Sequence, residues 1–490
     1  MRKSDYTPVV FLFYVLLLGF VLMHHELWGD EVHTWNLAKG SATYADLIAN
    51  RRYEGHPPGW HSLLWVITRF THNVAFMQAA QWLIACGVVF FVLFYSPFPR
   101  TSRALLPFGY YFLFEYGVLS RNYALGVLFA CCICMIIRKE FRYKNILYYL
   151  FLFCLSNVHL LGLLLAGSFH VYFLLLRHEQ KKTVWPHLLT GLLIALPAVY
   201  FIFPPSDGEL NMHVLASLWT PNQLAGLCEV PLRALAPIPA WWNEHFWNTE
   251  FLIDAGTPKW GMALLAAALL CGVFFILRGS RKSTALFAVN LLLSFAVSLT
   301  LFSLGTARYA GFVYIGFITA CWIGLYERPL GRGQIRLLNA FLLVQIAGGV
   351  FAAYKDVRLP FSNMYQVSAL LKEVPPGEPW VTDYWTMNAI EAYTDQPAYC
   401  IDVHKNLSFV LWDGTMAALQ KTSNRYSAGL ALLFKTDTIR SVYMITQSTL
   451  PMLLERDPGL SAAYRITLID KREGAIEKGS NLYLYRISGP

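Results

Sequence analysis

Apolar residues gather into stretches long enough to cross a hydrocarbon layer near residues 8–23, 76–95, 104–119, 123–137, 145–157, 159–176, 186–203, 260–277, 284–303, 309–326 and 337–354. The apolar run 146–176 is too long for one crossing, so Ser156-Asn157 is read as the turn of a tight hairpin. Eleven spans are therefore expected. Beyond residue 355 the pattern changes to alternation with period two in Trp380–Asp383, Ala398–Val403, Ser441–Ile445 and Leu482–Arg486, interleaved with helical patterns at Ser362–Lys372 and Thr449–Arg456. This predicts a polytopic α-helical membrane domain over 1–354 and a small α/β domain over 355–490. The first apolar run is followed by Leu22-Met23-His24-His25 rather than a small-residue cleavage pattern, so it is expected to remain as the first helix.

Composition agrees with that division. Of 490 residues, 56% are hydrophobic and 14% charged, and the mean hydropathy is +0.43, which excludes an ordinary soluble enzyme. Lysine and arginine concentrate in alternate connections: Arg2 and Lys3, Arg100 and Arg103, Arg138 to Lys144, Arg177 to Lys182, Arg278 to Lys282, and Arg328 to Arg336. By the positive-inside rule these loops are cytoplasmic, and an odd number of spans places residues 355–490 outside a bacterial plasma membrane. The net charge of +9 is accounted for by these loops, so no nucleic-acid partner is expected. Seven of the nine cysteines fall in expected spans, which reads as packing rather than a disulfide framework.

Two long loops, 24–75 and 204–258, share the outer side. The first opens with His24-His25-Glu26-Leu27-Trp28-Gly29-Asp30-Glu31-Val32-His33. Carboxylates at a membrane surface are costly unless solvated, paired or functional. Asp30 and Glu31 diverge by about 100° on a helix and cannot share one task, so one is expected to be catalytic and the other supportive. Their proximity is expected to raise the pKa of at least one of them. Downstream, Glu54-Gly55-His56-Pro57-Pro58 holds His56 in a stiff extended turn. Arg121-Asn122-Tyr123 and Arg308-Tyr309 place arginines at span boundaries on the same outer side, where a guanidinium suits phosphate. A base and cationic phosphate binders match transfer of a sugar from a polyprenyl phosphate. The phosphate departs without a general acid, whereas glycoside hydrolysis expels an alkoxide and uses two carboxyl groups. The second loop, rich in proline and tryptophan at Pro231, Pro237, Pro239, Trp241, Trp242 and Trp247, is read as an interfacial anchor.

Taken in order, Gly29-Asp30-Glu31, His56-Pro57-Pro58, Arg121-Asn122-Tyr123 and Arg308-Tyr309 resemble the Asp-Glu, His-Pro-Pro, Arg-Pro-Tyr-like and late Arg-Tyr elements of the GT-C superfamily of membrane glycosyltransferases. Protein O-mannosyltransferases and the lipid A aminoarabinose transferase are members of that superfamily. The resemblance spans residues 8 to about 354, with Asn122 where proline is common and Gly59 where leucine is common. It implies a GT-C fold, an extracytoplasmic site, and a polyprenyl-phosphate sugar donor. It also implies Asp30 as base with Glu31 in support, and Glu54, His56, Arg121, Tyr123, Arg308 and Tyr309 as substrate-binding residues. The acceptor would be a lipid, a polysaccharide or a protein. No metal is expected, because His24, His25, His33, His56 and His61 show no compact ligand spacing. Two other readings remain open: a transporter or flippase of lipid-linked saccharides, and a non-catalytic assembly protein that displays its outer domain.

Overall fold

The structure, a computed structural model, describes residues 6–203, 205–208, 221–435 and 439–489. Arg2, Lys3 and residues 204 and 209–220 of the expected loop 204–258 lie outside the described residues. The chain begins with α1 (Thr7–Leu22), α2 (Gly29–Gly40), α3 (Tyr44–Arg51), α4 (Gly59–Thr68), α5 (Ala75–Tyr95) and α6 (Arg100–Leu105). It continues with α7 (Tyr123–Ile136), α8 (Lys144–Ser156), α9 (Leu160–Glu179), α10 (Trp185–Ile202), α11 (Pro221–Leu235), α12 (Phe251–Asp254), α13 (Lys259–Leu277), α14 (Arg281–Thr300), α15 (Ala307–Leu325) and α16 (Arg332–Arg358).

Among the described residues, seven helices (α5, α9, α10, α13, α14, α15 and α16) are long and apolar enough to cross a membrane, and α1, α7 and α8 are shorter apolar helices. With the fold reported below, they make the chain an integral membrane protein. The expected single helix over 104–119 is not formed. There the chain runs from α6 through a short 3₁₀ turn (Leu106–Phe108) and an extended Gly109 into one turn of π-helix (Tyr111–Glu115). Pro107 removes a helical donor, and Gly109 lies so close to Gln345 on α16 that a Cβ would stand 3.1 Å from that side chain. The hairpin expected at Ser156-Asn157 is the turn between α8 and α9, where His159 caps α9 by accepting a hydrogen bond from the Gly162 amide at 2.9 Å.

The helices share one core, with α15 most deeply buried and α10 most exposed. The helices α2, α3 and α4 lie on the side of the bundle that carries the C-terminal unit. There β1 (Trp380–Thr382), β2 (Ala398–Cys400), β3 (Lys405–Leu407), β4 (Ser441–Thr446), β5 (Arg465–Arg472) and β6 (Leu482–Ser488) form one sheet in the order β3-β2-β1-β4-β6-β5. The strands β2, β1 and β4 are parallel, and β3, β6 and β5 run antiparallel to their neighbours. The alternation seen in sequence fits this pleat. Tyr443 and Ile445 face a core shared with Val32, Trp35, Trp60 and Leu64 of α2 and α4, while Val442 and Met444 face Tyr426 and Leu430 on the far side. Residues of the outer helices are thus packed directly under the sheet.

Candidate active site

The segment Trp28–Glu31 nucleates α2. Glu31 Oε2 accepts a hydrogen bond from the Trp28 amide at 3.0 Å, and two acidic residues in the first turn complement the positive end of the helix. As expected from their adjacency, the two carboxylates point apart. Glu31 is fully buried, accepts from the Ser120 amide, and meets His25 Nε2 at 3.2 Å. The other ring nitrogen of His25 lies 3.1 Å from both oxygens of Asp356, at the end of α16. Burial opposes charge on His25, but the Asp356 and Glu31 carboxylates prevail and raise it to about 10.

Asp30 is partly open to solvent, with 38% of its side chain exposed. Its Oδ2 stands 3.0 Å from Arg308 and 3.5 Å from Arg121. Arg121 also donates to the Asp30 carbonyl at 2.5 Å and to Thr34 Oγ1 at 3.0 Å. Although burial pushes the Asp30 carboxyl up, the two guanidiniums hold it below the usual carboxylate value. The sequence-based expectation of a raised pKa is therefore corrected for Asp30: its partners are arginines, and Glu31 is turned away from it. Arg308 itself is framed by aromatic rings, 5.0 Å from the Tyr309 centroid, 5.4 Å from Trp28 and 6.0 Å from Trp247.

Glu54 belongs to a second, adjoining cluster. Its carboxylate pairs with His33 at 2.7 Å and Arg51 at 3.0 Å, and despite burial these cations lower it to about 2. Arg51 is fully buried and donates to the His56 carbonyl at 2.7 Å, which fixes the His-Pro-Pro turn. The His56 ring is held neutral, lowered to about 3 by burial and the nearby Arg51 and Arg121, and its Nδ1 is buried without a partner. Tyr123 is not in the ion cluster. It stacks on Tyr116 at 5.5 Å, and Tyr116 donates its hydroxyl hydrogen to the Arg308 carbonyl at 2.7 Å.

Sequence reasoning missed His25 as a link, Asp356, Arg51, His33 and Glu115. Glu115 is buried in the broken segment, accepting from Tyr110 at 3.0 Å and from Trp247 Nε1 at 3.2 Å. A carboxylate inside an apolar stretch was an available signal. The loop of Trp241, Trp242 and Trp247 divides its work: the first two are exposed as an anchor would be, while Trp247 lines the site. Among the described residues, no group of three or more His, Cys, Asp or Glu side chains is arranged to hold a metal ion.

A bundle of apolar helices, a broken span, and an acid–arginine cluster beneath a small α/β unit make up an ArnT-like fold. The chain superposes on ArnT from Cupriavidus metallidurans in the apo state with a TM-score of 0.54, at 11% identity, over 99% of this chain and 98% of that one. It superposes on ArnT from the same organism bound to undecaprenyl phosphate with a TM-score of 0.55, at the same identity and coverage. No family model matches the sequence, and no curated protein matches it.

Proposed function

We propose that the protein is a glycosyltransferase that moves a sugar from a polyprenyl-phosphate donor to a lipid, polysaccharide or protein acceptor on the extracytoplasmic side of a bacterial plasma membrane. The observation that carries this reading is the partly exposed Asp30 carboxylate held between Arg121 and Arg308, at 3.5 and 3.0 Å. Two guanidiniums and three aromatic rings beside a carboxylate suit a phosphate at a membrane edge next to a base. The fold neighbour bound to undecaprenyl phosphate supports the same donor class.

In this mechanism the donor phosphate takes over the arginines that otherwise bind Asp30. Relieved of them, the carboxylate becomes a stronger base and accepts the proton of the acceptor hydroxyl. The acceptor oxygen bonds to the anomeric carbon as the bond to phosphate oxygen breaks on the opposite face, and the phosphate leaves with the electron pair, so configuration inverts. Glu31 supports this by anchoring the first turn of α2 through Ser120 and His25. Glu54 fixes Arg51 and thereby the His56 turn, and Tyr123 and Tyr309 shape the wall around Arg308.

Asp30→Asn in membranes supplied with polyprenyl-phosphate sugars is expected to lower the transfer rate by about 10²- to 10⁴-fold while donor binding persists. Unchanged transfer would remove Asp30 as base. A variant that moves the intact lipid-linked sugar across vesicles without breaking its glycosyl bond would turn the reading into that of a flippase.

A further inference from the structure

A second cavity lies away from the acid–arginine cluster, within the C-terminal unit. Its volume is about 620 Å³. It opens where the chain leaves the carboxyl ends of β1 and β2, at Tyr384 and at Asp402 to His404, and Arg425 closes it from the first residue of a later helix (Arg425–Phe434). In open α/β sheets ligands sit outside the carboxyl ends of the parallel strands.

The lining carries hydrogen-bonding capacity that the fold leaves unused. Arg425 is 7% exposed, and its buried Nε has no hydrogen-bond partner. Asp402 is 3% exposed, with Oδ1 accepting from the Tyr384 amide at 3.0 Å. Burial and the neighbouring Asp383 carboxylate push the Asp402 carboxyl up. His404 is held in the left-handed region at φ 54°, at the bend that forms the cavity wall. Opposite stand Asp413 and the ring of Phe409. That ring packs on Gly40, the last residue of α2, within 2.5 Å of where a Cβ would stand, so only glycine admits it.

We propose that this cavity binds a saccharide. Asp402 and Asp413 share the lining with Arg425 and Lys405, so a phosphate or nucleotide would meet two carboxyl groups beside its cations. An apolar ligand would leave the Arg425 Nε unpaired. A polyhydroxylated ring suits the lining, with hydroxyls donating to carboxyl oxygens and accepting from the guanidinium while Phe409 covers its C–H face. The volume falls within the range of about 300–1,000 Å³ found for small-molecule sites. The cavity also shares a wall with the cluster described above. Leu411 and Asp413 line it, while Trp412 between them lies 6.3 Å from the ring of His33, the partner of Glu54. The proposal stands on the lining alone and does not depend on the glycosyltransferase reading.

The test is saturation-transfer NMR with calorimetry on the full-length protein in detergent, using free hexoses, N-acetylhexosamines and their disaccharides. At least one is expected to bind, and Arg425→Gln and Phe409→Ala are each expected to weaken it about tenfold or more. Asp30→Asn is expected to bind it as the unmodified protein does. Should Arg425→Gln fail to fold, Asn406→Ala on the exposed edge strand β3 serves beside Phe409→Ala. Absence of binding by every saccharide overturns the proposal. So does binding that survives the cavity variants and disappears in Arg308→Ala, which would put the sugar in the acid–arginine cluster.

Discussion

Asp30, Glu31 and Glu54 are three carboxylates on one outer segment, and each meets different cations. Asp30 is held by two arginines, Glu31 is locked under a histidine, and Glu54 is clamped by Arg51 and His33. Because the arginines lower Asp30, Arg121→Ala is expected to move its titration back toward the ordinary carboxylate range. The acidic limb of kcat/KM against pH, which reports the free enzyme, then shifts upward, and the donor KM rises. Arg121→Lys, which retains a positive charge, is expected to reduce that shift. His25 has the opposite sign. Its folded pKa of about 10 exceeds the ordinary 6.5, so its contribution to stability is complete below pH 6.5 and is lost as pH rises toward 10. Thermal unfolding in detergent should show this fall over that window, and His25→Gln should flatten it. The adjacency of Asp30 and Glu31 told in advance that their side chains diverge. It carried no information about which cation each would meet.

The elements that build the site are assembled by close approaches. The π-helical turn Tyr111–Glu115 lies against α15 at Gly311, where a Cβ would stand 2.3 Å from both the Tyr111 ring and the Tyr116 hydroxyl. Through that hydroxyl the broken segment holds the Arg308 carbonyl. Gly311→Val is expected to destabilise the fold by about 1–3 kcal/mol and, by displacing Tyr116, to raise the donor KM severalfold more than it lowers kcat. Donor kinetics beside a melting curve check both parts. The hydrophobic pattern located α5, α7 to α10 and α13 to α16 closely, because lipid-facing and core-facing residues alike must be apolar over a membrane's thickness. It failed over 104–119 because hydropathy does not register that Pro107 and Gly109 break the ladder. It also passed over β3 and β5, edge strands whose exposed residues show no clear alternation.

The C-terminal unit and the helical bundle are joined at α2. Lys39, 8% exposed, pairs with Glu391 at 2.9 Å and Asp395 at 2.8 Å, and Asn36 donates to the Asn388 carbonyl at 2.8 Å. Lys39→Ala leaves Glu391 buried without its cation and is expected to cost about 3 kcal/mol. Transfer should fall with it, since α2 carries Asp30, and Lys39→Arg should restore much of both; a melting curve and the transfer assay check this. Periodicity and composition sufficed to read a many-spanned membrane protein with an α/β tail, and motif order sufficed to nominate Asp30, Arg121 and Arg308. These properties are written locally, in the apolar length a bilayer demands and in residue types that keep company along the chain. The pairing of Arg308 with Asp30 across 278 positions, and of Asp356 with His25 across 331, is written nowhere locally. Only the packing of α15 and α16 against the start of α2 brings those charges together, and with them the direction in which Asp30 and His25 titrate.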